Sequence, residues 1–191
     1  MRYVSLAMLL VMPFAAQAGQ VLVNGDFESG VLTPWYNAND LCSGCLWSAT
    51  NLDARTGTYS ATVDGNRELE QDFAAVLNSD ITEVSFWAHF PVSSQFLASG
   101  LEVDFFYSDS TTSNTVVTAL STDWEHFDVT SALATGKSLV GLAIYGNSGL
   151  SVAVDDASIV TGTSTAPEPS SLALFAGGFM ALATGLRRRA R

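Results

Sequence analysis

Residues 81–90 read ITEVSFWAHF and residues 101–107 read LEVDFFY. In the first stretch Ile81, Glu83, Ser85, Trp87 and His89 share one side of a two-residue period, and Val84, Phe86, Ala88 and Phe90 share the other. In the second, Leu101, Val103, Phe105 and Tyr107 alternate with Glu102, Asp104 and Phe106. Successive side chains of a strand point to opposite faces, so this period predicts strands with one face in a core. A helix would repeat its apolar residues every three or four positions, and no long stretch before the C-terminal tail does so.

The pattern continues on both sides. Residues 21–23 are apolar and end at Asn24-Gly25-Asp26. Residues 59–63 lie between the turn signals Thr56-Gly57-Thr58 and Asp64-Gly65-Asn66. Residues 115–119 and 124–129 follow as further strands. Residues 139–145 and 151–160 are joined by Gly146-Asn147-Ser148-Gly149, a hairpin turn. In residues 139–145, Val140, Leu142 and Ile144 take one face, and Gly141, Ala143 and Tyr145 the other. Residues 68–73 read as a strand, although residues 72–77 (DFAAVL) read equally well as a helical turn. About eight or nine short strands at regular spacing predict an antiparallel β-sandwich or barrel.

The 191 residues suit one domain, and an apolar fraction of 48% with eleven Phe and four Trp supplies a core. Charge is uneven. The ends carry Arg2, Arg187, Arg188, Arg189 and Arg191, whereas residues 19–166 hold eighteen acids against Arg55, Arg67 and Lys137, near −15. Such a body repels nucleic acid and anionic surfaces, and divalent cations or neutral glycans suit it better. The first 18 residues read as a signal peptide. Arg2 opens it, an apolar run follows, and Ala16-Gln17-Ala18 is a small-x-small cleavage site. In an exported chain the Cys42-Ser43-Gly44-Cys45 pair predicts a disulfide closing a small loop. A redox pair or half of a zinc site are the alternatives, but the surroundings are loop-like and no further Cys or His lies nearby.

VLVNGDFESG (residues 21–30), PWY (34–36), TGTYSATV (56–63), TDWEHFDVTSAL (122–133) and VAVDDASIV (152–160) occur in that order. Together they resemble the jelly-roll carbohydrate-binding modules that accompany xylanases and cellulases, within the galactose-binding-like sandwiches. The resemblance implies an antiparallel jelly-roll β-sandwich over residues 19–160. It also implies one structural calcium ion held by Asp26, Glu28, the carbonyl of Gly57 and Asp155, since calcium takes carboxylate and carbonyl oxygens. Asp26 and Glu28 as turn and cap residues, with Asp155 a solvated acid, is the alternative. Trp35 and Trp124 correspond to packing residues of the family.

Glycan binding by such a module implies aromatic platforms on a sheet face, with polar neighbours fixing the hydroxyls. Alternation offers Trp87, His89, Asp104, Phe106 and Tyr145 as one such face; Trp87 as a core residue is the alternative, because strand register is not fixed by sequence. Catalysis has little support. HExxH, P-loop and GxGxxG motifs are absent, and neither His89 nor His126 lies beside a nucleophile motif. Adjacent Asp155 and Asp156 on a strand point to opposite faces and cannot flank one glycosidic bond. A hydrolase is thus the weakest reading.

The tail completes the picture. Residues 161–169 form a Ser-, Thr-, Gly- and Pro-rich linker ending in Pro167-Glu168-Pro169. Residues 170–186 are uncharged and mostly apolar, and about 17 residues of helix reach about 25 Å, marginal for a membrane core of about 30 Å. Arg187, Arg188 and Arg189 then act as a stop-transfer cluster on the cytoplasmic side. This three-part tail resembles the PEP-CTERM protein-sorting signal. That resemblance implies a transmembrane helix and Arg-rich tail over residues 170–191, and processing by an exosortase-type membrane protease. It also implies final residence at the cell surface or in an extracellular polysaccharide matrix. A plain C-terminal anchor without cleavage is the alternative. The combined reading is an exported, non-catalytic surface or matrix protein associated with polysaccharide, with a specific carbohydrate-binding module as its alternative.

Overall fold

Where the sequence alternates, the chain is extended and one face is buried. The computed structural model describes residues 19–38, 44–65, 67–90, 100–118, 121–146 and 151–162. Its strands are β1 (Gly19–Gln20), β2 (Tyr36–Ala38), β3 (Ser48–Thr50), β4 (Ser60–Asp64), β5 (Glu68–Leu77), β6 (Ile81–His89), β7 (Leu101–Tyr107), β8 (Thr112–Val117), β9 (Glu125–Asp128), β10 (Ser138–Gly146) and β11 (Ser151–Thr161). They form two antiparallel sheets. The front sheet runs β2-β5-β10-β7-β8, and the back sheet runs β3-β4-β11-β6-β9 with β1 also paired to β11. The architecture is the antiparallel β-sandwich that the alternation predicts.

The core lies between the sheets. Leu69 of β5, Leu101, Val103 and Phe105 of β7, and Leu142 and Ile144 of β10 face Val84, Phe86 and Ala88 of β6 and Val152, Val154 and Ile159 of β11. Burying each larger side chain stabilises the fold by about 1.5–3 kcal/mol. Trp35 is 3% exposed and donates its indole N–H to the Asn24 carbonyl, with its ring beside Phe27. Trp47, which no sequence pattern marked, is buried too and donates to the Arg67 carbonyl at 2.9 Å. Trp124 departs from expectation: it is only half-buried and stacks on His89 outside the core.

Four further differences have physical causes. The first strand lies at residues 19–20, before the expected 21–23. Beyond Val21 the backbone of Val23 is matched by a side chain: the Val23 N–H donates to Gln71 Oε1, and Gln71 Nε2 donates to the Val23 carbonyl, both at 2.9 Å. The helical alternative at residues 72–77 is not adopted: Asp72, Val76 and Leu77 pair with β10, and residues 73–75 bulge between them. In β10 a register shift between Leu139 and Gly141 turns Leu139 into the core and leaves Val140 only partly buried. In β11 a shift between Asp155 and Ser158 includes Asp156 at φ +49°, so Asp155 and Asp156 do not point to opposite faces. Both engage Arg55 and Thr56 instead.

The signal peptide over residues 1–18, Cys42 of the expected bridge and the tail from residue 163 lie outside the described residues. Among the described residues no helix is long and apolar enough to cross a membrane.

Candidate functional site

The five residues proposed as one glycan face are divided between the two sheets. Trp87 and His89 lie on β6 of the back sheet; Asp104 and Phe106 lie on β7 and Tyr145 on β10 of the front sheet. Residues on the outer faces of opposite sheets cannot line one groove. Alternation assigns a side of a strand but not the sheet the strand enters, and that is why the sequence grouped them.

The back sheet's outer face is covered. The segment between β3 and β4 crosses it and is held at several points. Arg55 lays its guanidinium 3.6 Å from the centroid of the Trp87 ring and pairs with Asp156. His126 of the neighbouring strand β9 packs on the same indole at 5.1 Å. His89 is buried, its Nε2 lies 2.8 Å from Asp53 Oδ2, and its Nδ1 meets the Thr122 carbonyl at 3.0 Å. Trp87 therefore spends its ring face on a cation of its own chain, and His89 is a strut between loops.

The front sheet's outer face is different. Register sets three rows across it. The first runs Ala38, Glu68, Tyr145, Glu102, Val116; the second Tyr36, Glu70, Ala143, Asp104, Asn114; the third Asp72, Gly141, Phe106, Thr112. The centre strand β10 supplies a low floor. Ala143 points away from the core yet is fully buried beneath its neighbours. A Cβ on Gly141 would meet Asp72 Oδ1 at 3.0 Å and Phe106 Cδ2 at 3.2 Å, so the absent side chain lets Asp72 and Phe106 approach over the strand. Tyr36 donates its hydroxyl to Asp72 Oδ2 at 3.0 Å, and Asn114 donates to Glu102.

Electrostatics on this face run one way. Burial first, then the charges of Glu102, Glu68 and Glu70, push the Asp104 carboxyl up to about 6. Burial also raises Glu70, against a lowering hydrogen bond from Tyr36 and with repulsion from Asp72 and Glu68. The Tyr36 phenol is raised by burial and by its bonds to Glu70 and Asp72. Asp104, Phe106 and Tyr145 are thus brought together, joined by Tyr36, Glu68, Glu70, Asp72 and Glu102, which the motif comparison missed. The signal was present in Glu68-Leu69-Glu70-Gln71-Asp72, where acids occupy alternate positions and share one face once the segment is a strand.

The proposed calcium set is only partly assembled. Gly57 adopts φ +63°, and a Cβ there would fall 2.4 Å from the Glu28 carboxyl carbon, so these two are in contact. Glu28 Oε1 accepts the amide N–H groups of Thr58 and Tyr59 at 2.8 and 2.7 Å. Asp155, fully buried, accepts from the amides of Arg55, Thr56 and Asp156. Asp26 is exposed and only accepts the Glu28 amide at 3.4 Å. Among the described residues no group of three or more His, Cys, Asp or Glu side chains is placed to hold a metal ion. Glu28 and Asp155 thus clamp residues 55–59 through backbone amides, while burial, against those amide bonds and with the Asp156 charge, pushes the Asp155 carboxyl up to about 6.

Comparison with known proteins gives two findings. No curated protein matches the chain. Solved structures do. The chain is similar to TmCBM61 in complex with beta-1,4-galactotriose, at 19% identity, covering 75% of this chain and 99% of that one, with a TM-score of 0.52. It is similar to a family 16 carbohydrate-binding module at 18% identity, covering 74% and 99%, with a TM-score of 0.55. It is also similar to the CBM22-1 xylan-binding domain from Paenibacillus barcinonensis Xyn10C at 15% identity, covering 81% and 100%, with a TM-score of 0.53. At these identities the likeness is one of fold: the sandwich is that of carbohydrate-binding modules. Residues 165–189 match the model of the PEP-CTERM protein-sorting motif, so the chain carries that signal behind its β-sandwich.

Proposed function

We propose that this chain is an exported, non-catalytic carbohydrate-binding protein, delivered by an exosortase-type sorting system to the cell surface or polysaccharide matrix. Its glycan lies on the outer face of the front sheet. The observation that carries the reading is the set of three rows over Gly141 and Ala143. Phe106 and Tyr145 offer rings for the apolar faces of sugars, and Glu70, Asp72, Glu102 and Asp104 offer acceptors for their hydroxyls. The PEP-CTERM motif at residues 165–189 supports the sorting half.

The observation that favours hydrolysis is Asp104, raised to about 6 across β10 from Glu70. Glycosidase chemistry needs two carboxyl groups driven apart, one protonated and one ionised at neutral pH. Here burial raises Glu70 as well, so the two carboxyls are pushed in the same direction and not apart. The pair suits binding better than cleavage.

The test is a glycan array and pull-down with wild type, Tyr145→Ala, Phe106→Ala and Trp87→Ala. Removing either front-sheet ring weakens binding about tenfold, about 1.4 kcal/mol. Trp87→Ala leaves binding unchanged, because its ring faces Arg55 on the other sheet. Equal binding by wild type and both front-sheet variants sinks the assignment of the face.

A further inference from the structure

Resting on the reading of the front face as the glycan site, we propose that its ligand is cationic: a hexosamine polymer whose amines are wholly or partly free. The face is acidic in every row. Glu68 and Glu102 flank Tyr145, Glu70 and Asp104 flank Ala143, and Asp72 faces Phe106 across Gly141. No Lys, Arg or His occupies any position of the three rows. The three bases of the exported body stand elsewhere. Arg55 is on the back sheet with Asp156, Lys137 pairs with Asp109 at 3.0 Å, and Arg67 is buried beside β5.

Asp72 and Glu102 are bonded by neutral groups. Tyr36 donates to Asp72 and Asn114 to Glu102. Neutral donors satisfy lone pairs but leave the mutual repulsion of the carboxylates in place. A neutral glycan gains hydroxyl bonds here and leaves that repulsion standing. A uronate polymer adds to it. An ammonium on the sugar relieves it, and charge-assisted hydrogen bonds are about twice as strong as neutral ones. The rings act in the same direction, since the faces of Phe106, Tyr145 and Tyr36 attract cations as well as the CH faces of a pyranose. Selectivity by charge is thus built from the acids, and the seat of the sugar from the rings and the Gly141–Ala143 floor.

The experiment titrates the full chain, in a neutral detergent lacking a sugar headgroup, with three probes. These are a β-1,4-linked glucosamine hexamer, the same hexamer fully N-acetylated, and a neutral xylo-oligosaccharide. At pH 7 and low salt the free-amine hexamer binds at least tenfold tighter than its N-acetylated form. Glu70→Gln with Asp104→Asn reduces that preference to within about threefold. Asp80→Asn with Asp123→Asn, the same change of charge at exposed positions off the face, leaves the preference intact. Equal binding of the two hexamers overturns the proposal, as does an equal loss in the control pair, which would mean general attraction to an acidic protein. If neutral oligosaccharide binds and is lost in Tyr145→Ala while the amine gives no advantage, the glycan face stands and its charge selectivity falls. Binding by none of the probes overturns both.

Discussion

Asp155 shows how much one buried carboxylate arranges. Three amide N–H groups converge on it, two of them from the Arg55–Thr56 turn, and that turn then lays Arg55 over Trp87. The family resemblance names Asp155 as a calcium ligand, and in the structure it accepts backbone amides. What the sequence does not display is the return of residues 53–59 over the back sheet. That contact joins positions about a hundred apart in the chain, and no local period encodes it. Asp155→Asn keeps the shape but turns an amide donor toward backbone N–H groups, and it costs about 2 kcal/mol of stability in urea unfolding. If the amide bonds alone hold Asp155, thermal melts in excess calcium and in chelator superimpose. A shift of several degrees with calcium, abolished in Asp155→Ala, would restore the ion at Asp26, Glu28, Gly57 and Asp155.

Among the elements, β7 was the most legible and β5 the least. LEVDFFY alternates cleanly, and Leu101–Tyr107 is the strand observed. In β5 the run Ala74-Ala75-Val76-Leu77 has no period of two, and only pairing with β10 extends it. The irregularity in β10 was illegible for a related reason: an extra residue shifts the face without altering composition, which is why Val140 was misplaced. The candidate site divides along the same line. Acids at every second position were readable, whereas the joining of β5, β10 and β7 in one sheet required the fold. The front face also makes a prediction about pH. A carboxyl raised to about 6 binds its proton more tightly in the folded chain than in the unfolded chain, where an Asp titrates near 4. Charged Asp104 therefore weakens the fold above about pH 6, and that penalty is relieved as pH falls from 6 toward 4. The groups facing it are Glu102 on its own strand, Glu68 and Glu70 on β5, and neutral Asn114 on β8, with no base among them. Asp104→Asn, neutral throughout, unfolds at higher urea than wild type at pH 7.5, and the gap narrows at pH 4.5. A variant less stable than wild type at pH 7.5, or a gap independent of pH, would show that burial and repulsion do not govern this residue.

At the scale of the molecule, an acidic body and a basic tail have separate tasks. The strands from Gly19 to Thr161 make the sandwich, and the motif at residues 165–189 follows directly. In the proposed sorting reading the tail resides only transiently in a membrane. Its apolar stretch is short for a span, its glycines weaken a helix, and its arginines resist translocation. A permanent anchor gains nothing from Pro167-Glu168-Pro169, since proline holds the preceding residue extended and donates no backbone hydrogen bond. An extended segment beside the membrane is what a protease active site needs. Mass spectrometry of the protein from its native cells is therefore expected to find a mature C-terminus between Pro167 and Ser170, with the arginines gone. Replacing Glu168 and both flanking prolines with alanine should leave the tail uncut and the protein in the membrane fraction. Surface protein that retains Arg191 would make the tail a lasting anchor. In that case a front face selective for a matrix glycan would tether the matrix to the cell, whereas after cleavage it would retain the released protein within the matrix.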